Sequence, residues 1–239
     1  MKVLIAIPVL NEARILRTNI LKISSFCRAN LEDDWQLIIA DNGSTDETEK
    51  IGQDLADEIN EIKYLRLNKK GKGLAIKSAW QNFEADVYGF MDADLATDLS
   101  ALPEAINQIR QGYDVVVGSR FEPASVIKRS LGRTILSRGY RLIARFILGT
   151  KIKDLPCGFK FINQRMKQNI LPQVQDESWF FDSELIILAE NNQYKIKQLP
   201  VIWQDVRSKD DRTRIKIISL SFDYLKKLIK LRRRLLLIK

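Results

Sequence analysis

Val87-Tyr88-Gly89-Phe90-Met91-Asp92-Ala93-Asp94 runs five apolar or small residues straight into a pair of carboxylates. An uninterrupted apolar run of this length reads as a strand buried on both faces of a parallel sheet, with the two acids just past its end. The same unit recurs upstream. Residues 64–67 read as a strand, Asn68-Lys69-Lys70-Gly71-Lys72-Gly73 as a turn and residues 74–83 as a helix. Earlier still, strands at 3–7 and 35–40 are followed by polar turns and by helices over 13–29 and up to about residue 58. Downstream come a helix over 102–111 and a strand over 114–117. Repeated β-α alternation predicts an open, mostly parallel sheet with helices on both faces, and such sheets bind ligands outside the carboxyl ends of their strands. The polar clusters at 11–12, 41–46, 68–73 and 92–94 therefore converge on one edge.

Beyond residue 120 the pattern loosens. An Arg-rich helix spans 131–148, a turn carries Cys157-Gly158-Phe159-Lys160, and an aromatic-acidic segment at 179–189 precedes a strand near 196–203. With 239 residues, 45% of them hydrophobic and 29% charged, the chain fits one large α/β domain over residues 1–212 and a basic tail over 213–239. The opening apolar run is interrupted by Pro8 and reads as a buried strand, not a secretory leader. No stretch is long and apolar enough to span a bilayer.

Composition narrows the chemistry. There is no histidine, which excludes His-containing triads and His-ligated metals. Two distant cysteines, Cys27 and Cys157, offer neither a disulfide framework nor a zinc cluster, and Cys157 reads as a packing residue. The formal charge is +9, yet nine Lys or Arg against the single acid Asp223 fall after residue 213, which leaves the body nearly neutral. A neutral body with a basic end points away from nucleic acid and toward an anionic surface.

Asp92-Ala93-Asp94 suits a hard divalent cation that also binds phosphate oxygens, since such ions want carboxylate oxygen. The turn at 41–46 suits a helix N-terminus. Glycines on either side of Lys72 ahead of a helix suit an anion site. Neither dinucleotide nor P-loop fingerprints occur. In the basic stretch 128–145, Arg129, Arg133, Ser137 and Arg141 repeat every four residues along a stripe able to grip phosphate. In the tail, Ile218, Phe222, Leu225 and Ile229 form one apolar face amid Lys and Arg, which suits an anionic lipid interface or, alternatively, packing on the body. Asp182 and Glu184 could equally cap a helix.

In order and spacing, Ile7-Pro8-Val9-Leu10-Asn11-Glu12, Asp41-Asn42-Gly43-Ser44-Thr45-Asp46, Gly71-Lys72-Gly73, Asp92-Ala93-Asp94 and Gly118-Ser119-Arg120 resemble a family-2 glycosyltransferase of the GT-A fold. The segments Asp154-Leu155-Pro156-Cys157-Gly158-Phe159-Lys160, Trp179-Phe180-Phe181-Asp182-Ser183-Glu184 and Ser208-Lys209 are similar to polyprenyl-phosphate sugar transferases, most closely the dolichyl-phosphate β-glucosyltransferase branch. The resemblance implies an inverting hexosyltransferase that uses a UDP- or GDP-hexose and a polyprenyl phosphate at the cytoplasmic face of a membrane, with peripheral attachment. The alternative within the family is extension of a glycan on a saccharide hydroxyl.

Carried over by residue, the resemblance implies that Pro8, Asn11, Glu12 and Asp41 frame the nucleotide, with Lys72, Arg207 and Lys209 also binding the nucleotide sugar. Asp92 would face the donor and Asp94 would bind Mg²⁺ or Mn²⁺. Arg120, Arg133 and Ser137 would hold the acceptor phosphate, and Asp182 and Glu184 would sit by the transferred sugar. Ala96 and Thr97 stand where mannosyl-transferring relatives commonly carry a further ligand, Gln, which favours the glucosyl branch. A homo-oligomer is left open.

Overall fold

The computed structural model describes residues 1–128, 131–205 and 217–237, and leaves aside the side chains of 131, 133 and 217–222. Strands β1 (Lys2–Val9), β2 (Asp34–Asp41), β3 (Ile62–Arg66) and β4 (Val87–Met91) pair in parallel in the order β3-β2-β1-β4. Helices α1 (Ala13–Asn30), α2 (Thr48–Glu58) and α3 (Lys72–Asn82) make the crossovers. After α4 (Ala101–Arg110) comes β5 (Val115–Ser119). A short strand β6 (Val126–Lys128) precedes the long helix α5 (Leu131–Leu148).

The chain then does what the periodicity did not foretell. Residues expected as a turn form β7 (Phe159–Asn163), which inserts antiparallel between β4 and β5. The completed seven-stranded sheet runs β3-β2-β1-β4-β7-β5-β8, with β8 (Ile196–Pro200) parallel to β5. Lys160 breaks the all-apolar pattern of a buried strand, and the adjacent Phe161-Ile162 interrupts the alternating one, which together hid β7. Lys160 is nonetheless completely buried, between Phe159 and Phe161. The segment expected as one strand near 196–203 is split, β8 being followed by β9 (Ile202–Gln204), which pairs with β6.

The sheet divides two cores, as the alternation of β1 requires. Val3, Ile5 and Ile7 face one way, onto Leu16 and Ile20 of α1, Leu55 of α2 and Leu102 and Ile106 of α4. Leu4 and Ala6 face the other way, onto Ile76 and Trp80 of α3, Leu185 of α7 (Phe181–Asn191) and Leu228 of α8 (Ile217–Leu237). The remaining helix, α6 (Gln164–Asn169), is capped by the Asn163 side chain accepting from the Met166 N–H.

Within the tail, residues 217–237 are helical, and among their described side chains the buried ones are Tyr224, Leu228, Leu231 and Leu235. Of the face expected from sequence, Leu225 is half-buried and Ile229 exposed, while the side chains of Ile218 and Phe222 lie outside the described residues. Among its described side chains, helix α8 thus packs on the body through Tyr224, Leu228, Leu231 and Leu235, a stripe beside the one expected to face lipid. The reason is aromatic: the Tyr224 ring sits edge-on to Phe180 (5.6 Å) and Tyr140 (5.4 Å), and its hydroxyl donates to the Trp179 carbonyl oxygen (2.8 Å). No described helix is long and apolar enough to cross a membrane.

Candidate functional site

Parallel pairing sets the carboxyl ends of β1, β2, β3 and β4 along one edge, Val9 opposite Asp41 and Asp41 opposite Arg66. The loops after β1 and β2 are zipped together. Asn11, in the left-handed region at φ 56°, donates its N–H to Ser44 Oγ (2.9 Å) and accepts the Thr45 N–H at Oδ1 (2.8 Å). The Glu12 N–H donates to Thr48 Oγ1 (2.9 Å), and Asp46 accepts from the N–H groups of both Ala13 (3.3 Å) and Thr48 (3.0 Å), so one carboxylate serves the starts of α1 and α2. Asp41 is fully buried, accepting from the Ser44 N–H (2.8 Å) and Tyr64 hydroxyl (2.7 Å), with Arg66 at 3.5 Å. In this state Asp41 organises the turn. Pro8, half-buried, stays inside β1 without ending it.

At the end of β4 the Asp92 N–H donates to the Gly158 carbonyl oxygen (3.1 Å), and the Leu95 N–H closes a turn back onto the Asp92 oxygen (3.3 Å) with Leu95 at φ 54°. Asp94 Oδ1 accepts from the Ala96 N–H (3.1 Å). The Asp92 side chain remains 38% exposed, and Asp94 is half-buried. A Cβ at Gly158 would strike the Asp92 carboxylate, so glycine leaves that side chain in this position.

Lys72, the first residue of α3, reaches Asp92 Oδ1 (2.8 Å) and Asp182 Oδ2 (3.1 Å). Its ammonium also lies 5.2 Å from the Phe90 ring centre and 5.3 Å from that of Trp179. Burial disfavours its charge, but Asp182 and Asp92 outweigh burial and hold its pKa above the usual lysine range. Burial pushes the Asp182 carboxyl up, against the pull of Lys72 and Lys160. Asp182 Oδ1 is buried with no hydrogen-bond partner among the described residues.

Lys160 is the residue sequence reading missed. Its ammonium donates to the Cys157 carbonyl oxygen (2.5 Å) and lies 5.4 Å from the centre of the Phe90 ring, and burial lowers its pKa. The available signal was a lysine inside an apolar run, since an unpaired Lys is almost never fully buried. Cys157 packs as expected, its thiol pushed up to about 12 by burial.

Several expected groupings change. Positions two apart on a helix point roughly 200° apart, so Asp182 and Glu184 part company. Asp182 meets Lys72, whereas Glu184 accepts from Arg234 of α8 (2.5 Å) and from the Asp176 N–H (2.7 Å). The start of α3 is not an open anion site either: the Gly73 and Leu74 N–H groups donate to the carbonyl oxygens of Ser178 (3.1 Å) and Glu177 (2.9 Å). Arg120 closes its fork on buried Asp154, Nε at 2.7 Å and Nη2 at 2.8 Å, and lies 5.4 Å from the Trp203 ring centre. Ser137 donates to the Thr134 carbonyl of its own helix (3.1 Å). The side chain of Arg133, and all of Arg207 and Lys209, lie outside the described residues.

An open, mostly parallel sheet whose acids gather at the carboxyl strand ends defines a class, that of α/β proteins with a ligand site at that edge of the sheet. Residues 4–171 match glycosyl transferase family 2, and the chain belongs to that family. It is 32% identical over 209 residues to Glycosyltransferase AglD of Haloferax volcanii, covering 85% of this chain and 33% of the relative. It is 31% identical over 223 residues to the Dolichyl-phosphate beta-glucosyltransferase of Saccharomyces cerevisiae, covering 84% of this chain and 66% of the relative. The chain thus spans a third of the first relative and 66% of the second.

Among solved structures, glucosyl-3-phosphoglycerate synthase from Mycobacterium tuberculosis in complex with uridine diphosphate superposes with a TM-score of 0.71 at 17% identity, covering 97% of this chain and 80% of that one. The same enzyme with Mn²⁺, uridine diphosphate and glucosyl-3-phosphoglycerate gives 0.68 at 18% identity, covering 96% and 78%. The architecture is the GT-A fold.

Proposed function

We propose that the protein moves a hexose, glucose by preference, from a nucleotide sugar to a polyprenyl phosphate at a membrane surface. The observation that carries this reading is Lys72, buried and bridging Asp92 to Asp182 at the carboxyl strand ends of a family-2 chain. The names of its relatives support the acceptor class.

The donor would lie across the strand ends, its nucleotide against Pro8, Asn11, Glu12 and Asp41 and its diphosphate toward Lys72, Arg207 and Lys209. Two carboxylates in one turn fit a divalent cation. Among the described residues no group of three or more acidic or thiol side chains gathers, so Asp94 and Asp92 would share Mg²⁺ or Mn²⁺ with diphosphate oxygens. Such an ion, when bound, neutralises charge on the leaving diphosphate. Asp182 Oδ1 lacks a donor, and a sugar hydroxyl would supply one.

A phosphate monoester with a second pKa near about 6 is largely dianionic at neutral pH, so an attacking oxygen needs no strong base, and a histidine-free site suffices. The acceptor oxygen forms the bond to the anomeric carbon as the bond from that carbon to the diphosphate breaks, in line and with inversion. The chain's own contribution is to align two mutually repelling anions. Arg133, Ser137 and Arg120 would meet the acceptor phosphate, Arg120 exchanging part of its Asp154 contact for it.

Membrane attachment is supported by α5 more than by the tail. Phe146 is 91% exposed, Ile135 71% and Leu142 66%. Spaced by seven and four residues, they form one stripe opposite Tyr140 and Ala144, which pack inward. Exposed Arg138 and Arg145 flank it, so an anionic lipid surface matches both the apolar stripe and its charge.

The test is product formation from UDP-glucose and GDP-mannose with polyprenyl phosphate or an oligosaccharide as acceptor. Transfer to the polyprenyl phosphate is expected, and transfer confined to the oligosaccharide would overturn the reading in favour of glycan extension.

A further inference from the structure

Helix α3 starts without a side-chain cap, Gly71 standing at its N-cap position. A helix start needs partners for its first N–H groups, and here they come from elsewhere in the chain: Glu177 and Ser178 supply carbonyl oxygens to Leu74 and Gly73. The segment 174–180 is therefore a strap across the first turn of the helix that carries Lys72. It lies so close that a Cβ at Gly71 would strike the Glu177 carbonyl oxygen, and one at Gly73 would come within 3.0 Å of the Asp176 oxygen. Trp179, on the same strap, places its ring by the Lys72 ammonium.

What holds the strap is chiefly α8. The Tyr224 hydroxyl donates to the Trp179 carbonyl oxygen (2.8 Å), and Lys227 pairs with Asp176 (2.8 Å). Arg234 pairs with Glu184, whose other oxygen accepts the Asp176 N–H (2.7 Å). Asp176, Glu184, Lys227 and Arg234 line a cavity of about 120 Å³ together with Phe180 and Leu231. Within about three turns of one helix, Tyr224 and Lys227 thus hold the seven-residue segment whose carbonyls cap α3 directly, and Arg234 holds it through Glu184.

We propose that Tyr224, Lys227 and Arg234 are positioning residues for Lys72, acting through the 174–180 strap, so that the docking of α8 sets how tightly the nucleotide diphosphate is held. The inference rests on the reading that Lys72 meets the donor. With α8 docked, the strap caps α3 and Lys72 is pressed between Asp92 and Asp182. With a tie removed, the first turn of α3 loses its carbonyl partners and the lysine its fixed direction. Preorganisation of this kind acts on binding through the cost of ordering the site.

The test is calorimetric titration of the full chain with UDP and with GDP, each with Mn²⁺, alongside amide hydrogen exchange at Gly73 and Leu74. Tyr224→Phe, Lys227→Met and Arg234→Gln are each expected to weaken nucleotide binding about three- to tenfold, the range one lost hydrogen bond gives. They are also expected to speed exchange at Gly73 and Leu74 while β1 amides stay protected, and Arg234→Lys should restore part of the loss. Arg232→Gln, which removes the same charge from an exposed position of α8, should change neither readout. Should Arg234→Gln fail to fold, the milder Tyr224→Phe decides. Binding that weakens in Lys72→Met but is unchanged in the α8 variants would overturn the inference alone. Nucleotide binding absent from the wild-type chain, or unaffected by Lys72→Met, would overturn the donor reading and the inference with it.

Discussion

Asp92, Lys72 and Gly158 form one arrangement in which none can change alone. Gly158→Ala drives a methyl into the Asp92 carboxylate, and backbone at this site has no slack because the Asp92 N–H is bonded to the Gly158 oxygen (3.1 Å). We expect at least about a tenfold fall in kcat/KM, read in the transfer assay. Unchanged activity would show that Asp92 tolerates displacement. Buried Arg120 and Asp154 behave differently. Asp154→Asn leaves a buried guanidinium short of its counter-charge, for an expected loss of about 3–5 kcal/mol of stability by denaturant titration.

The same pair predicts a pH dependence. Burial alone would raise the Asp154 pKa, but the Arg120 guanidinium and backbone N–H hold it below the usual carboxylate range. A group whose folded pKa is depressed contributes stability that is fully present above its unfolded pKa of about 3.9 and is lost as pH falls through the folded value. Acid unfolding monitored between about pH 5 and pH 2 should thus be less steep in Asp154→Asn than in wild type. Identical slopes would count against the assignment.

At the scale of elements, what could be read from sequence depended on regular periodicity. The units from β1 to β5 were legible because β-α alternation repeats and each strand ends in a polar turn, even though Gln36 and Lys63 interrupt β2 and β3; β4 runs without a polar break, so Asp92 and Asp94 could be placed at a strand end on that basis alone. Strand β7 was not, because Lys160 sits where an apolar residue was required, and an antiparallel insertion between β4 and β5 follows no alternation rule. The separation of Glu184 from Asp182 was foreseeable from helix geometry once α7 is known to begin at Phe181. The capping of α3 by Glu177 and Ser178 was not, since it is a contact across about a hundred residues and leaves no local signature. The body-facing stripe of α8 has a similar origin, as the tertiary positions of Phe180 and Tyr140 select Tyr224.

Over the whole molecule, the sheet separates a face covered by α1, α2 and α4 from one covered by α3, α7, α5 and α8, and α5 turns a broad apolar stripe outward. Phe146→Asp together with Leu142→Asp should reduce sedimentation with vesicles containing anionic lipid by about tenfold or more, the two side chains being worth roughly 1.5–3 kcal/mol each when buried. Activity on a short, water-soluble polyprenyl phosphate should be nearly unchanged. Retained vesicle binding would move the attachment site to the basic tail.

The claim on which the account turns is that the strand-end acids and Lys72 bind a nucleotide diphosphate sugar with a divalent cation. It is tested most directly by titrating UDP-glucose and GDP-mannose, each with Mn²⁺, into the wild-type chain and into Asp94→Asn. Saturable binding of one donor that requires the cation and disappears in Asp94→Asn is predicted. Binding of neither donor, or equal binding by both proteins, would contradict it.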